Sequence, residues 1–266
     1  MNKTNIHTHT KFCDGKNTPE EMVIAAIEKG FTTLGFSAHS FVDYATPYGL
    51  TDSGAIEYKK EISRLKTLYK DKINIYCGIE LDSFSKDKDT SGYEYVIASV
   101  HGVKKNGCIY EVDHSEKVLT ENIKDGWGGD VYAFAKDYFA EVAEQRGDVI
   151  GHIDLLCKFN EGDRMFSTKD ERYLACAEEA VKILCENSQV LEINTGAIGR
   201  GYRTTPYPSE DILKMIKKHS GRVIVTSDCH NKDYLDCGFD TAYELLHKCG
   251  FEETTGLLNN TVTVYR

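Results

Sequence analysis

The chain has 266 residues, a formal net charge of −10 and a pI near 5.4, with hydrophobic (41%) and charged (28%) fractions ordinary for a globular protein. That length buries a substantial core, and barrels of this size often form one domain, so residues 1–266 read as a single domain. The acidic balance argues against a general nucleic-acid or anionic-membrane surface, while an anionic small substrate stays open because bound metals supply a local positive field.

The start, Met1-Asn2-Lys3-Thr4-Asn5, runs straight into a short apolar strand, so no signal peptide or transit sequence is expected. No apolar run approaches the length of a membrane span. Nine cysteines without CxxC spacing indicate neither a disulfide framework nor a thiolate zinc site, and the chain reads as a reduced cytoplasmic protein. The first strand leads into Ile6-His7-Thr8-His9-Thr10-Lys11-Phe12-Cys13-Asp14-Gly15. Strand side chains alternate faces, so His7 and His9 point the same way, toward one ion, and Asp14 follows on a glycine-turned loop. Thr18-Pro19-Glu20-Glu21 opens a helix with a threonine cap, a first-position proline and a glutamate closing the capping box; Lys29-Gly30 stops it.

Residues 33–38 form the second predicted strand, ending at His39. A loop with Phe41, Asp43, Tyr44 and Tyr48 leads to a helix marked by Ile62, Leu65 and Tyr69. The third strand, 73–79, ends at Glu80 and the fourth, 95–100, at His101, with a short irregular connection between them. Residues 102–129 read as a long loop rich in glycine and charge. Val131, Phe134, Tyr138 and Val142 mark a helix before a strand at 148–151 that ends at His152. Leu174, Ala177, Val181 and Leu184 mark another, before a strand at 190–193 that ends at Asn194. Ser209, Ile212 and Ile216 belong to a helix that Gly221 stops. The seventh strand, 222–227, ends at Asp228 and His230, a last helix covers 241–248, and 261–265 reads as extended.

Seven strands mostly alternating with helices imply parallel β/α units. In an open doubly wound sheet polar strand-end residues gather at one switch point, whereas here nearly every strand ends in one. All strand ends of a β/α barrel face one bowl, where active sites lie. The expected fold is therefore a distorted, TIM-like (β/α)7 barrel with its active site at the C-terminal ends of the strands.

The strand ends supply His7, His9, Asp14, His39, Glu80, His101, His152, Asp228 and His230. Any one of them has an ordinary structural role open to it; nine converging on one bowl point to metal. Nine exceed what two ions comfortably use at about four to six bonds each, so three divalent ions fit better. Imidazole and carboxylate donors suit Zn, Fe or Mn. Cys13 and Cys229 read as packing residues, and His114, His219 and His247 as surface residues.

This series, with Phe12-Cys13-Asp14-Gly15, Ser99-Val100-His101, Gly151-His152-Ile153-Asp154 and Ser227-Asp228-Cys229-His230, resembles the PHP (polymerase and histidinol phosphatase) superfamily. Within it the chain is similar to the stand-alone histidinol-phosphatases, over essentially its whole length. The resemblance implies a trinuclear metal centre and hydrolysis of L-histidinol phosphate to L-histidinol and phosphate in histidine biosynthesis. Carried over position by position, one metal takes His7, His9, Glu80 and Asp228. A second takes Glu80 as a bridge with His101 and His152, and the third takes Asp14, His39 and His230. Lys158 stands where a basic residue contacting phosphate is expected, although lysine lacks arginine's bidentate fork. Arg200 is the other expected anion contact, with Arg203 and Arg164 as further candidates.

The expected chemistry is attack on phosphorus by a hydroxide generated between metals, with Glu80 as bridge and Arg200 on the phosphate. Asp228 or a water supplies the proton to the leaving alkoxide; the sequence leaves that open. Asp43, Tyr44, Asp82 and Glu161 are the candidates for reading the imidazole and amine. The expected partner is a small-molecule phosphate ester, with no nucleic acid and no membrane, in an oligomeric state the sequence does not specify. The rival readings are another phosphoesterase of the superfamily, acting on nucleotides, nucleic-acid ends or phosphotyrosine, and a non-catalytic metal-binding module.

Overall fold

The alternating pattern of the sequence becomes seven parallel strands in the computed structural model, which describes residues 3–45, 48–256 and 261–263. In chain order, β1 (Lys3–Asn5) is followed by α1 (Pro19–Glu28), where Thr18 and Glu21 cap each other's backbone as expected. Next come β2 (Phe31–His39), α2 (Asp52–Leu68), β3 (Asn74–Asp82) and β4 (Tyr95–Ser99); no helix lies between β3 and β4. The segment read as a long loop is instead a hairpin, β5 (Gly102–Lys105) and β6 (Cys108–Glu111), followed by α3 (Glu116–Trp127).

The correction has a local cause. Asn106 and Gly107 both take positive φ, 50° and 86°, the requirement of a two-residue hairpin turn. Ser115 caps α3 at its start and Gly128 (φ 62°) ends it. The glycines are thus punctuation between elements.

The chain continues through α4 (Val131–Ala143), β7 (Val149–Ile150), α5 (Glu171–Glu186), β8 (Val190–Asn194), the four-residue α6 (Gly196–Gly199), α7 (Glu210–Lys218), β9 (Arg222–Thr226) and α8 (Phe239–Lys248). β10 (Glu253–Thr255) and β11 (Thr261–Thr263) pair antiparallel, and the remainder of the predicted terminal strand lies outside the described residues.

The sheet runs β1-β2-β3-β4-β7-β8-β9, every neighbouring pair parallel. It nearly closes on itself: His9 N donates to Cys229 O at 2.9 Å, and Asn5 Nδ2 to Ser227 Oγ at 2.6 Å, across the β1–β9 gap. The strands' two faces diverge in role. Leu34, Phe36, Ile75, Ala98, Ile150, Leu191, Ile193, Val223 and Val225 pack outward in the main core that the helices cover. Ile6, Tyr95, Ile97, Val149, Val190 and Ile224 form a separate cluster. Its strand residues share parity with Ser99, Glu192, Asn194 and Thr226, so the barrel interior is apolar at the amino end and polar at the carboxyl end.

Tyr95 plugs the amino end. Its hydroxyl faces the carbonyls of Ile6 and Phe36 at 2.5 and 2.9 Å, and a Cβ added at Gly78 would lie 2.3 Å from its ring. Gly78→Ala therefore overpacks a site with no room, and is expected to lower the unfolding free energy by about 1–3 kcal/mol. Urea denaturation of wild type and variant side by side checks this; equal midpoints would mean the ring yields freely.

Candidate metal centre

Every one of the nine predicted ligands reaches the same bowl. His7 and His9, expected at the end of the first strand, lie on the extended run just past β1 and are fully buried. Asp14 sits on the turn that Gly15 closes, where a Cβ would meet Thr10 N at 2.4 Å. His39 is the last residue of β2, and Glu80 lies within β3 in register with it. His101 and His152 follow β4 and β7; Asp228 and His230 follow β9, with Asp228 at φ 44°. Such a conformation is uncommon for a non-glycine residue and belongs with sites held under local strain.

Glu80 is the hub. Its Oε2 lies 2.8 Å from His39 Nδ1, 3.2 Å from His7 Nε2 and 3.5 Å from His9 Nε2. Its Oε1 lies 3.1 Å from His152 Nε2 and 3.4 Å from His101 Nε2. Asp228 Oδ1 is 3.1 Å from His9 Nε2 and 3.6 Å from His7 Nε2. On the outer side, Asp14 faces His230 (3.1 Å), His39 (3.7 Å) and His9 (3.9 Å). Three sets with ligand atoms within 4.8 Å of one another result: His9, Asp14, His39 and His230; His7, His9 and Glu80; and His39, Glu80 and His101. They overlap the three expected ligand sets, with His9, His39 and Glu80 each shared between two.

The charges are mutually supporting. Burial lowers the His7 pKa, but Glu192, Glu80 and Asp228 outweigh it and raise it well above the usual value. Burial, with His230 and His39 alongside, drops His9 to about 3, so its ring stays neutral. Burial also works against an ionised Glu80, yet His7, His39 and His101 hold its carboxyl well below the usual range. Asp228 is held down in the same way, by Arg200 and His7.

The donor set fits divalent cations. His7 Nε2, His9 Nε2 and Glu80 Oε2 are buried without a hydrogen-bond partner although they face one another. Three buried polar atoms converge there with no hydrogen bond among them, and a buried unsatisfied polar group costs about 1–3 kcal/mol. A cation satisfies all three at once, and nitrogen and oxygen donors suit Zn, Fe or Mn.

Of the predicted substrate contacts, two line the cavity of about 360 Å3 above the cluster, Arg200 and Lys158. Arg200 follows the helical turn α6 and donates to Asp228 Oδ2 at 3.1 Å and His230 Nδ1 at 3.0 Å. Lys158 Nζ donates to Asp113 O and Oδ2 at 2.8 and 3.0 Å. The other six lie elsewhere. Arg203 donates to Cys157 O and Thr205 Oγ1 and does not line the cavity; Arg164 pairs with Glu116 at the surface. Asp43 is exposed and pairs with Lys86 at 2.7 Å, and Tyr44 donates to Asp82 Oδ2 at 2.9 Å. Glu161 accepts from Thr204, away from the bowl. Among the surface histidines, exposed His114 edges the cavity mouth.

The sequence reading left two carboxylates without their observed role. Glu192, fully buried in β8, accepts from His7 Nδ1; Asp82, expected to read substrate, faces His101 Nδ1 at 3.0 Å. A charged residue at an inward position of an otherwise apolar strand was the available signal for Glu192. Glu111, Asp113 and Lys16 also line the cavity.

The PHP domain family model matches residues 5–196. Among curated proteins, the chain is similar to the histidinol-phosphatase of Lactococcus lactis, 28% identical over 95% of this chain and 93% of that protein. It is also similar to the histidinol-phosphatase of Bacillus subtilis, 26% identical over 94% of this chain and all of that one. Among solved structures, it is similar to a Lactococcus lactis histidinol phosphate phosphatase complexed with zinc, L-histidinol and phosphate. That likeness has a TM-score of 0.69 at 23% identity, covers 95% of this chain and 96% of the other, and marks a shared fold.

Proposed function

The chain belongs to the PHP domain family, and we propose that it is a metal-dependent phosphatase hydrolysing L-histidinol phosphate to L-histidinol and phosphate. The observation that carries this reading is one carboxylate, Glu80, ringed by five histidines at the carboxyl end of a barrel that matches histidinol-phosphatases along nearly its whole length. Residues 1–266 act as a single domain in this proposal.

His7, His9, Glu80 and Asp228 would hold one ion, Glu80, His101 and His152 a second, and Asp14, His39 and His230 a third. Bound there, divalent ions lower the pKa of water from about 15.7 toward 7 and neutralise phosphoryl charge. Glu80 keeps its negative charge between the two inner ligand sets. Arg200, in the cavity wall beside Asp228 and His230, grips the phosphate with its planar fork. Lys158 adds a second positive charge, restrained by Asp113. Asp228 takes a proton from the attacking water and passes it to the leaving alkoxide, holding it only transiently, since Arg200 and His7 favour its ionised form. Histidine biosynthesis is the pathway the reaction serves.

The partner is a small phosphate ester. A net charge of −10 counts against polynucleotides and anionic membranes, and no helix among the described residues is long and apolar enough to cross a membrane. A cytoplasmic location completes the reading.

The test joins metal analysis to turnover. Up to three ions per chain are expected, histidinol phosphate should be the preferred ester in a panel with nucleotides and phosphotyrosine, and chelation should abolish activity. One tightly held ion in a fully active enzyme would remove the trinuclear assignment. Preference for another ester would move the chain to the rival phosphoesterase reading.

A further inference from the structure

We propose that Glu192 and Asp82 are positioning residues that fix the ring orientation and tautomer of His7 and His101, so that each presents Nε2 to the metal centre. The inference rests on the metal-centre reading above.

Glu192 is fully buried. Its Oε1 accepts from His7 Nδ1 and from Thr226 Oγ1 at 2.6 Å; its Oε2 accepts from the backbone N of His152 at 2.7 Å and from Asn194 Nδ2 at 2.9 Å. An ionised carboxylate has about four lone-pair sites, so these four donors leave none for an ion. An acceptor-only partner requires His7 to carry its hydrogen on Nδ1, which leaves the Nε2 lone pair facing Glu80 and Asp228. The same carboxylate holds the backbone that delivers His152.

Asp82 repeats the device. Its Oδ1 accepts from Phe84 N at 2.6 Å, and its Oδ2 from Tyr44 Oη and His101 Nδ1. His101 then presents Nε2, 3.4 Å from Glu80 Oε1. Neither carboxylate lines the cavity, and neither belongs to the three ligand sets, so their reach to substrate or ion runs through the histidines. Metal-binding histidines backed by a carboxylate gain both a fixed tautomer and a more basic ligand nitrogen.

The test uses the full-length protein, stripped of metal and titrated with zinc against a competing chelator. Glu192→Gln and Asp82→Asn are each expected to weaken zinc binding about ten- to a hundredfold with the far-UV circular dichroism unchanged. Thr226→Val removes another donor to Glu192 without touching His7, and should leave zinc affinity where it was. Imidazole nitrogen NMR of the zinc-loaded wild type should give Nδ1–H, and no Nε2–H, at both His7 and His101. Wild-type zinc affinity in both carboxylate variants overturns the inference, as does an equal loss in Thr226→Val or an Nε2–H tautomer at either histidine. If Glu192→Gln does not fold, Asp82→Asn and the NMR measurement carry the test. A wild type that binds no zinc would sink the metal-centre reading itself, an outcome distinct from these.

Discussion

Glu80→Gln is expected to cut turnover of histidinol phosphate by about 10²–10⁴, the equivalent of the 3–5 kcal/mol lost when one partner of a buried charge cluster is removed. The side chain is isosteric and 1% exposed, so little packing is lost. What goes is one negative charge among five imidazoles. The two oxygens of Glu80 serve different histidines, Oε2 facing His7, His9 and His39, and Oε1 facing His101 and His152. An amide accepts through one atom only and offers a donor at the other, pointed at imidazole lone pairs. The variant should therefore hold fewer ions than wild type while keeping its circular dichroism. Near-wild-type turnover in a folded Glu80→Gln protein would end the bridging role.

The barrel and the cluster were legible in the sequence for a shared reason. In a parallel barrel each strand is a short apolar run ending in a polar residue, and here the polar residue is a histidine or carboxylate almost every time. His39, Glu80, His101, His152 and Asp228 all announce themselves by that position. Glu192 did not, because it sits two residues short of its strand's end, within a run that reads as core. The β5–β6 hairpin was missed although Asn106-Gly107 is a strong turn signal, since the charged residues around it mask a strand pattern with little burial. The substrate contacts were the least legible. Arg164, Arg203 and Asp43 have the right chemistry, but a cation's or anion's partner is set by tertiary neighbours, and theirs are Glu116, the Cys157 carbonyl and Lys86.

Arg200 is where that distinction has its largest functional consequence. It lines the cavity, is mostly buried, and is tied to Asp228 and His230. Its position beside two proposed metal ligands puts a planar cation where a phosphate oxygen would also approach the ions. A charge-assisted contact of this kind is worth about 1.5–3 kcal/mol. Arg200→Ala should then lower kcat/KM for histidinol phosphate about ten- to a few hundredfold, and weaken product inhibition by inorganic phosphate in parallel. Metal content should hold, because no ligand is altered and a positive charge next to Asp228 has been withdrawn. Arg200→Lys should restore only part of the loss, since an ammonium keeps the charge without the fork. If Arg200→Ala kept full kcat/KM and unchanged phosphate inhibition, the anion contact would pass to Lys158, whose ammonium would first have to leave Asp113.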